Sequence, residues 1–159
     1  MIIVVMGVSG CGKTTIGKLL SQQFNLPYFD ADDFHSEANV NKLSNGIALN
    51  DSDRKPWLET LAESIKHWNQ NKGAVLSCSA LKENYRELLT SKVDHINWVV
   101  LQGDFDLILA RLKSRQNHYM NPDLLQSQFD ILEVPKYGIH VNIENTPEDI
   151  ISSITSKLL

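Results

Sequence analysis

The sequence predicts an α/β fold of three layers (α/β/α), in which helices cover both faces of a parallel β-sheet. Three observations predict it. Short apolar runs typical of buried strands alternate with amphipathic helical segments along the chain. The first run, residues 2–6, is continuous and β-branched, as expected for a central parallel strand. No repeat or flexible linker divides the 159 residues, so we expect one domain covering residues 1–159.

Each predicted element follows from a local pattern. The strand at 2–6 leads through a glycine-rich turn into a helix, where apolar residues recur at helical spacing from Ile16 to Phe24. The last helix begins with Thr146 as its cap and Pro147 at its first position. Further strands are predicted at 27–29, 74–78, 96–101 and 139–143, and further helices around 57–68 and 105–112.

Composition excludes several classes of function. The 15 basic and 19 acidic residues give a net charge of −4, which provides no general attraction for nucleic acid or an anionic membrane. Two cysteines are too few for a disulfide framework and are expected to be reduced thiols. The apolar start lacks a basic region and is too short for a signal peptide. We therefore expect a cytoplasmic protein whose partners include neither nucleic acid nor membrane.

The strongest motif is a phosphate-binding loop. Residues 7–14, GVSGCGKT, fit the pattern G-x-x-x-x-G-K-[ST] and lie between a predicted strand and a predicted helix. We expect Lys13 to reach the β- and γ-phosphates of ATP and Thr14 to offer its hydroxyl to Mg²⁺. Cys11 is expected to fill a variable position in the loop, and a redox switch is the less favoured alternative. The expected ATP-binding residues are Gly7, Val8, Ser9, Gly10, Cys11, Gly12, Lys13, Thr14 and Thr15.

An acidic cluster follows the short strand predicted at 27–29. It would lie at the carboxyl edge of the sheet, where ligands bind in open α/β folds. We expect Asp32 to act on the attacking hydroxyl of the acceptor, either by accepting its proton or by orienting it. Asp30 is expected to lie nearer the metal. His35 is grouped with them as a substrate-binding candidate. The alternative is an acidic helix start, where aspartate is favoured by capping alone.

Basic residues supply candidates for anion binding. Ser52 or Asp53 can cap a predicted helix, which places Arg54 in its first turn. A cation is poorly placed there for the helix dipole, so Arg54 is a candidate for clamping an anionic substrate group. Lys82 and Arg86, one helical turn apart, are further candidates. Arg111 and Arg115 lie one helical turn apart, before a polar stretch expected to act as a lid that brings them to the γ-phosphate. The alternatives are ordinary surface arginines and a solvated basic helix face.

Longer motifs show a resemblance to a known family. They comprise residues 6–10 with Gly12 and Lys13, residues 32–35, Asn39 with Lys42 and Gly46, Asp53 and Arg54 with residues 56–58, residues 78–82, residues 103–105, Arg111 with Leu112, and Ser127, Gln128 and Phe129 with Leu132, Glu133 and Pro135. Along nearly its whole length the chain resembles the gluconokinase family, in the shikimate-kinase-like branch of P-loop kinases.

The resemblance implies both a fold and a reaction. It implies a five-stranded parallel sheet, a mobile substrate-binding segment near 33–72 and a lid near 113–122. The implied activity is phosphorylation of D-gluconate to 6-phospho-D-gluconate with ATP and Mg²⁺, so that the main partner is a small-molecule substrate. Whether the chain forms a homodimer is left open.

Two alternatives remain at this point. A P-loop kinase of another small hydroxylated acceptor, such as a shikimate-like acid or a nucleoside monophosphate, would use the same phosphate loop and lid. A non-catalytic nucleotide switch would need a guanine-reading N-K-x-D segment, and residues 41–44, NKLS, lack its aspartate. A kinase is therefore favoured over a switch.

Overall fold

The computed structural model describes residues 1–114 and 121–158, in which strands and helices alternate as predicted. The strands are β1 (Ile2–Met6), β2 (Tyr28–Asp30), β3 (Ala74–Ser77), β4 (Asn97–Gln102) and β5 (Ile139–Asn142). The helices are α1 (Lys13–Phe24), α2 (Glu37–Ser44), α3 (Asp51–Gln70), α4 (Glu83–Thr90), α5 (Phe105–Lys113), α6 (Pro122–Ile131) and α7 (Pro147–Leu158), and a 3₁₀ turn occupies Ala31–Phe34.

The five strands form one parallel sheet in the order β2-β3-β1-β4-β5, which confirms the predicted fold class. Strand β1 lies at the centre, where Val4 is paired with Leu76 of β3 on one side and Trp98 of β4 on the other. All five residues of β1 are buried, because helices cover both faces. Strands β2 and β3 lie on one side of β1, and β4 and β5 lie on the other. The strand order therefore reverses at β1, which opens a crevice at its carboxyl end.

Helices such as α3 and α7 pack on the sheet through one apolar face. In α3, Leu61 and Ile65 are fully buried, and in α7 the same holds for Ile154. These side chains join the core formed by the central strands. Of the helices described, none combines the length with the hydropathy that a bilayer crossing requires.

The start of α3 differs from the local prediction. The sequence suggested Ser52 or Asp53 as the cap, but the cap is Asn50, whose side chain accepts a hydrogen bond from the Asp53 N–H at 2.8 Å. Asp53 in turn accepts from the Asn50 N–H at 3.0 Å, which completes a reciprocal capping box. This arrangement sets the position of Arg54, the next residue, in the first turns of α3.

Candidate active site

The loop between β1 and α1 has the conformation that phosphate binding requires. Gly10 and Gly12 have φ angles of 81° and 99°, which residues with a Cβ rarely adopt. A Cβ on Gly10 would also lie 2.6 Å from Cγ of Leu112. The ammonium of Lys13 lies over the loop and donates to the carbonyls of Gly7 and Val8 at 2.9 and 3.0 Å. The loop therefore combines a cation with the amino end of a 12-residue helix.

A cavity of about 440 Å³ opens beside this loop at the carboxyl edge of the sheet. Its lining includes six of the residues proposed from sequence: Ser9, Lys13, Asp30, Asp32, His35 and Arg54. Apolar side chains such as Trp57, Leu81 and Leu124 complete the wall. The structure thus brings a phosphate loop, two carboxylates and an arginine, from separate parts of the chain, to one cavity.

The two aspartates differ in how far they are already engaged. Asp30 ends β2, and its Oδ1 accepts a hydrogen bond from the Asp32 N–H at 2.9 Å, capping the 3₁₀ turn. Burial raises the pKa of the Asp30 carboxyl. The side chain of Asp32, in contrast, is 81% exposed within the open cavity. Capping therefore accounts for part of the role of Asp30, while Asp32 is accessible to a ligand.

His35 is held firmly in the cavity wall. Its side chain is only 6% exposed, and its ring stacks on Trp57 with centroids 4.2 Å apart and planes 18° apart. Trp57 is itself fixed, because its indole N–H donates to the carbonyl of Ala31 at 2.7 Å. Burial lowers the pKa of the His35 imidazole and so favours the neutral ring.

Arg54 is oriented by a tyrosine that the sequence analysis did not identify. Its Nη1 donates to the hydroxyl of Tyr85 at 3.1 Å, and that hydroxyl donates to Asp51. Burial is the largest cause that raises the pKa of Tyr85 to about 12, so the phenol keeps its proton. Tyr85 is buried at an ordinary apolar position of α4, and no local pattern distinguishes it from a core aromatic residue.

Lys82 lies outside the main cavity. Its ammonium is 3.2 Å from Asp51 Oδ1, and it lines a shallower depression that it shares with Arg54. Of the two cations, only Arg54 reaches the cavity that holds the phosphate loop. The substrate-binding role expected for Lys82 remains a prediction, and its described contacts are with Asp51 and the Tyr85 ring.

The structure places Arg86, which was expected to bind substrate, in the interior and not in the lining of the cavity. The side chain is buried, and its guanidinium donates to the carbonyls of Ala80 and Glu133, both at 2.7 Å, and to Glu83 at 3.0 Å. Spacing along a helix suggested that Arg86 would follow Lys82 toward the site. Lys82 is instead the extended N-cap residue of α4, so the two residues share no helix face and Arg86 enters the interior.

Of the two arginines expected to act with the lid, Arg111 lies among the described residues and Arg115 does not. Arg111, on α5, donates from Nη2 to the carbonyl of Ile143 at 2.8 Å, just after β5, and does not line the cavity. Its contact with the γ-phosphate stays a prediction. Arg115 and residues 116–120 of the expected lid lie outside the described residues.

A second residue missing from the predicted site is Gln128 on α6. Its Oε1 accepts from the Ser9 N–H at 2.8 Å, and its Nε2 donates to Ser9 Oγ at 3.1 Å. Both residues line the cavity, so α6 is joined directly to the phosphate loop beside the acceptor space. The only signal for Gln128 in the sequence was its place in a motif of the family resemblance.

The oxygen ligands near the loop fit a magnesium ion that arrives with a nucleotide. Thr14 and Thr15 are exposed in the first turn of α1, and the Asp30 carboxylate lines the cavity nearby. Among residues 1–114 and 121–158, no group of three or more His, Cys, Asp or Glu side chains could hold a metal. Hydroxyl and carboxylate oxygens suit Mg²⁺, which usually takes few protein ligands together with phosphate oxygens.

Both cysteines are buried. Cys11 is 2% exposed, and its Sγ lies 2.6 Å from where a Cβ on Gly7 would be. This burial supports a packing role and gives no support to a redox switch. Burial raises the pKa of the Cys78 thiol to about 12, so that thiol stays protonated and unreactive.

Comparisons with known proteins identify chains similar to this one in sequence and in fold. A family model described as shikimate kinase matches residues 9–153. The chain is 41% identical to a gluconokinase from Arabidopsis thaliana, across 96% of this chain and 89% of that protein. It is 42% identical to a thermosensitive gluconokinase from Escherichia coli K12, across 84% of this chain and 72% of that protein. A solved gluconokinase structure from Sinorhizobium meliloti 1021 superposes with a TM-score of 0.91 at 34% identity, covering 99% of this chain and 90% of that one.

Proposed function

This chain belongs to the gluconokinase family of shikimate-kinase-like P-loop kinases, and we propose that it transfers the γ-phosphoryl group of ATP to D-gluconate, giving 6-phospho-D-gluconate. One observation carries the proposal beyond family membership. Lys13 of the phosphate loop, Asp32 and Arg54 line the same cavity, so a phosphate, a hydroxyl and a carboxylate can be held there together. D-gluconate carries the hydroxyl and the carboxylate on one small molecule.

The cavity supports an in-line transfer. The guanidinium of Arg54 binds the carboxylate of gluconate, and the terminal hydroxyl lies toward Asp32 and the loop. Asp32 orients that hydroxyl and accepts its proton as the new O–P bond forms. The bond between the γ-phosphorus and the β–γ bridging oxygen breaks, and ADP leaves. Lys13 and the loop N–H groups neutralise charge on the phosphates throughout.

Thr14 and Asp30 are the residues that would hold Mg²⁺, Thr14 through its hydroxyl and Asp30 through water. The ion would supply positive charge beside the terminal phosphates. We place the reaction in the cytoplasm, where the two thiols stay reduced.

An acceptor screen tests the proposal. Purified protein is mixed with Mg·ATP, and ADP release is followed with D-gluconate, shikimate, adenosine monophosphate or no acceptor. We expect release only with gluconate, and we expect Lys13→Ala to abolish it while the circular dichroism spectrum stays unchanged. Turnover with shikimate or adenosine monophosphate and none with gluconate would show that the acceptor is wrong. Nucleotide binding with no turnover on any acceptor would favour the non-catalytic alternative.

A further inference from the structure

The wall of the acceptor cavity contains a histidine whose two ring nitrogens face different environments. Nδ1 of His35 is 3.3 Å from the amide nitrogen of Asn39, a residue that does not line the cavity. Nε2 is 3.9 Å from Oδ1 of Asp32, and His35 and Asp32 both line the cavity. Asn39 is one of the few buried polar residues described, at 5% exposure. The positions of these three groups determine which ring nitrogen carries the proton.

The orientation of the Asn39 amide follows from its second contact. The same amide nitrogen lies 2.9 Å from the carbonyl oxygen of Asp53, which can only accept a hydrogen bond. The atom that faces it must therefore be the nitrogen, and one of its two hydrogens is used there. The backbone N–H of Asn39 also donates to Ser36 Oγ at 3.2 Å, which fixes the residue at the start of α2.

The second hydrogen of the Asn39 amide points at Nδ1 of His35. Since the amide nitrogen is a donor, Nδ1 must accept, and in the neutral imidazole the proton then resides on Nε2. The ring cannot turn over easily, because it is stacked on Trp57 and is almost fully enclosed. The charged groups that face it are Asp32, Arg54 and Asp30. Burial, with a smaller contribution from Arg54, lowers the pKa of the imidazole and outweighs Asp32 and Asp30, which raise it, so the ring is kept neutral.

We propose that Asn39 is a positioning residue that holds His35 as its Nε2–H tautomer, so that His35 donates a hydrogen bond to an oxygen of the acceptor. The distance of 3.9 Å between His35 Nε2 and Asp32 Oδ1 is too long for a hydrogen bond. The Nε2–H is therefore left to donate to a ligand in the cavity. Because Nδ1 is engaged and Nε2 is protonated, His35 has no lone pair with which to take the hydroxyl proton, and that task falls to Asp32. The identity of the acceptor rests on the proposed function, whereas the tautomer does not.

Nitrogen NMR on the full chain, labelled with ¹⁵N-histidine, tests the tautomer directly, because protonated and unprotonated ring nitrogens have widely separated shifts. The His35 signals are assigned by their loss in His35→Gln, and spectra are taken about two pH units above the imidazole pKa so that the ring is neutral. We expect an unprotonated Nδ1 in the wild-type protein. A protonated Nδ1 there would overturn the proposal, whether or not gluconate supports turnover.

Asn39→Asp tests the positioning role. An aspartate at this position would accept from Nδ1–H and move the proton from Nε2 to Nδ1. The KM for gluconate should then rise about tenfold, the usual consequence of one lost hydrogen bond, with a smaller change in kcat. An unchanged tautomer would rule out Asn39 as its determinant. A switched tautomer with an unchanged KM would rule out recognition of the acceptor by His35.

Asn41→Asp is the matched control, since it places the same charge on an exposed position of the same helix. We expect it to leave both the tautomer and KM unchanged. If it reproduced the effect of Asn39→Asp, the cause would be the added charge on α2, and the proposed contact would be wrong.

Discussion

At the scale of single residues, the hydrogen bonds already made by each cation distinguish binding from structural roles. The guanidinium of Arg86 donates hydrogen bonds to two backbone carbonyls and one carboxylate of the protein itself. Arg54 makes one hydrogen bond to Tyr85 and still faces the cavity. A buried and fully engaged arginine stabilises the fold, whereas a partly engaged one at a cavity wall can bind an anion.

Arg54→Ala should weaken gluconate binding. A charge-assisted hydrogen bond to a carboxylate contributes about 1.5–3 kcal/mol, so we expect KM to rise about 10- to 100-fold with a smaller effect on kcat. Steady-state kinetics with varied gluconate measure this. Lys82→Ala is the comparison, because that ammonium lies in the neighbouring depression. If Arg54 and not Lys82 holds the carboxylate, the KM of Lys82→Ala for gluconate should change by less than about threefold. Equal effects from the two variants would contradict the assignment of the carboxylate to Arg54.

Arg86→Ala should reduce stability and leave catalysis nearly intact. The substitution leaves the carbonyls of Ala80 and Glu133 without their donor, and we expect the free energy of unfolding to fall by about 2–4 kcal/mol. Urea denaturation measures the loss, and gluconate KM is determined well below the unfolding transition. A raised KM in a protein of unchanged stability would restore Arg86 as a substrate ligand.

At the scale of elements, helix ends and helix contacts position the site. The capping box at the start of α3 fixes the backbone position of Arg54. Gln128 joins α6 to Ser9 of the phosphate loop. Tyr85 on α4 then orients Arg54 from the other side. Three helices that are distant in sequence therefore determine the geometry of one cavity.

Asn50→Ala tests the observed cap of α3. Loss of an N-cap side chain costs about 1 kcal/mol, so the free energy of unfolding should decrease by about that amount in urea denaturation. Ser52→Ala is the matched control, because Ser52 is exposed at the second position of the same helix and is not the cap. Its effect should stay within about 0.5 kcal/mol. A larger loss for Ser52→Ala than for Asn50→Ala would favour the cap suggested by the sequence.

At the scale of the whole molecule, the parallel sheet brings the site together. The carboxyl ends of β1, β2 and β3 lie at one edge of the sheet, and each is followed by residues that line the cavity. The cavity is thus formed by segments across more than half of the chain. Binding at this edge should stabilise the fold as a unit.

Thermal unfolding tests whether the chain behaves as one domain around this site. We expect a single cooperative transition. A non-hydrolysable ATP analogue at about 100 times its Kd should add about 2.7 kcal/mol of stability, which corresponds to an increase in Tm of about 5–10 °C. Lys13→Ala should lose most of this increase. Two separate transitions, only one of them shifted by the analogue, would contradict the single-domain prediction.

The sequence by itself determined the features that depend on local pattern. The alternation of apolar runs predicted the parallel α/β fold, and the spacing of GVSGCGKT predicted the phosphate loop, because backbone conformation there is dictated by glycine at defined positions. The position of the acidic cluster at 30–35 was also predicted. The cluster directly follows a strand, and residues that follow a parallel strand lie at the ligand-binding edge of the sheet.

Only the tertiary structure decided how side chains from separate elements pair. The roles of Tyr85 and Gln128 depend on contacts 31 and 119 residues away in sequence, which no local periodicity encodes. The burial of Arg86 likewise depends on how α4 is set against residues 80 and 133. A long polar side chain reaches several angstroms in any direction its backbone allows, so its partner is determined by packing rather than by its neighbours in the chain.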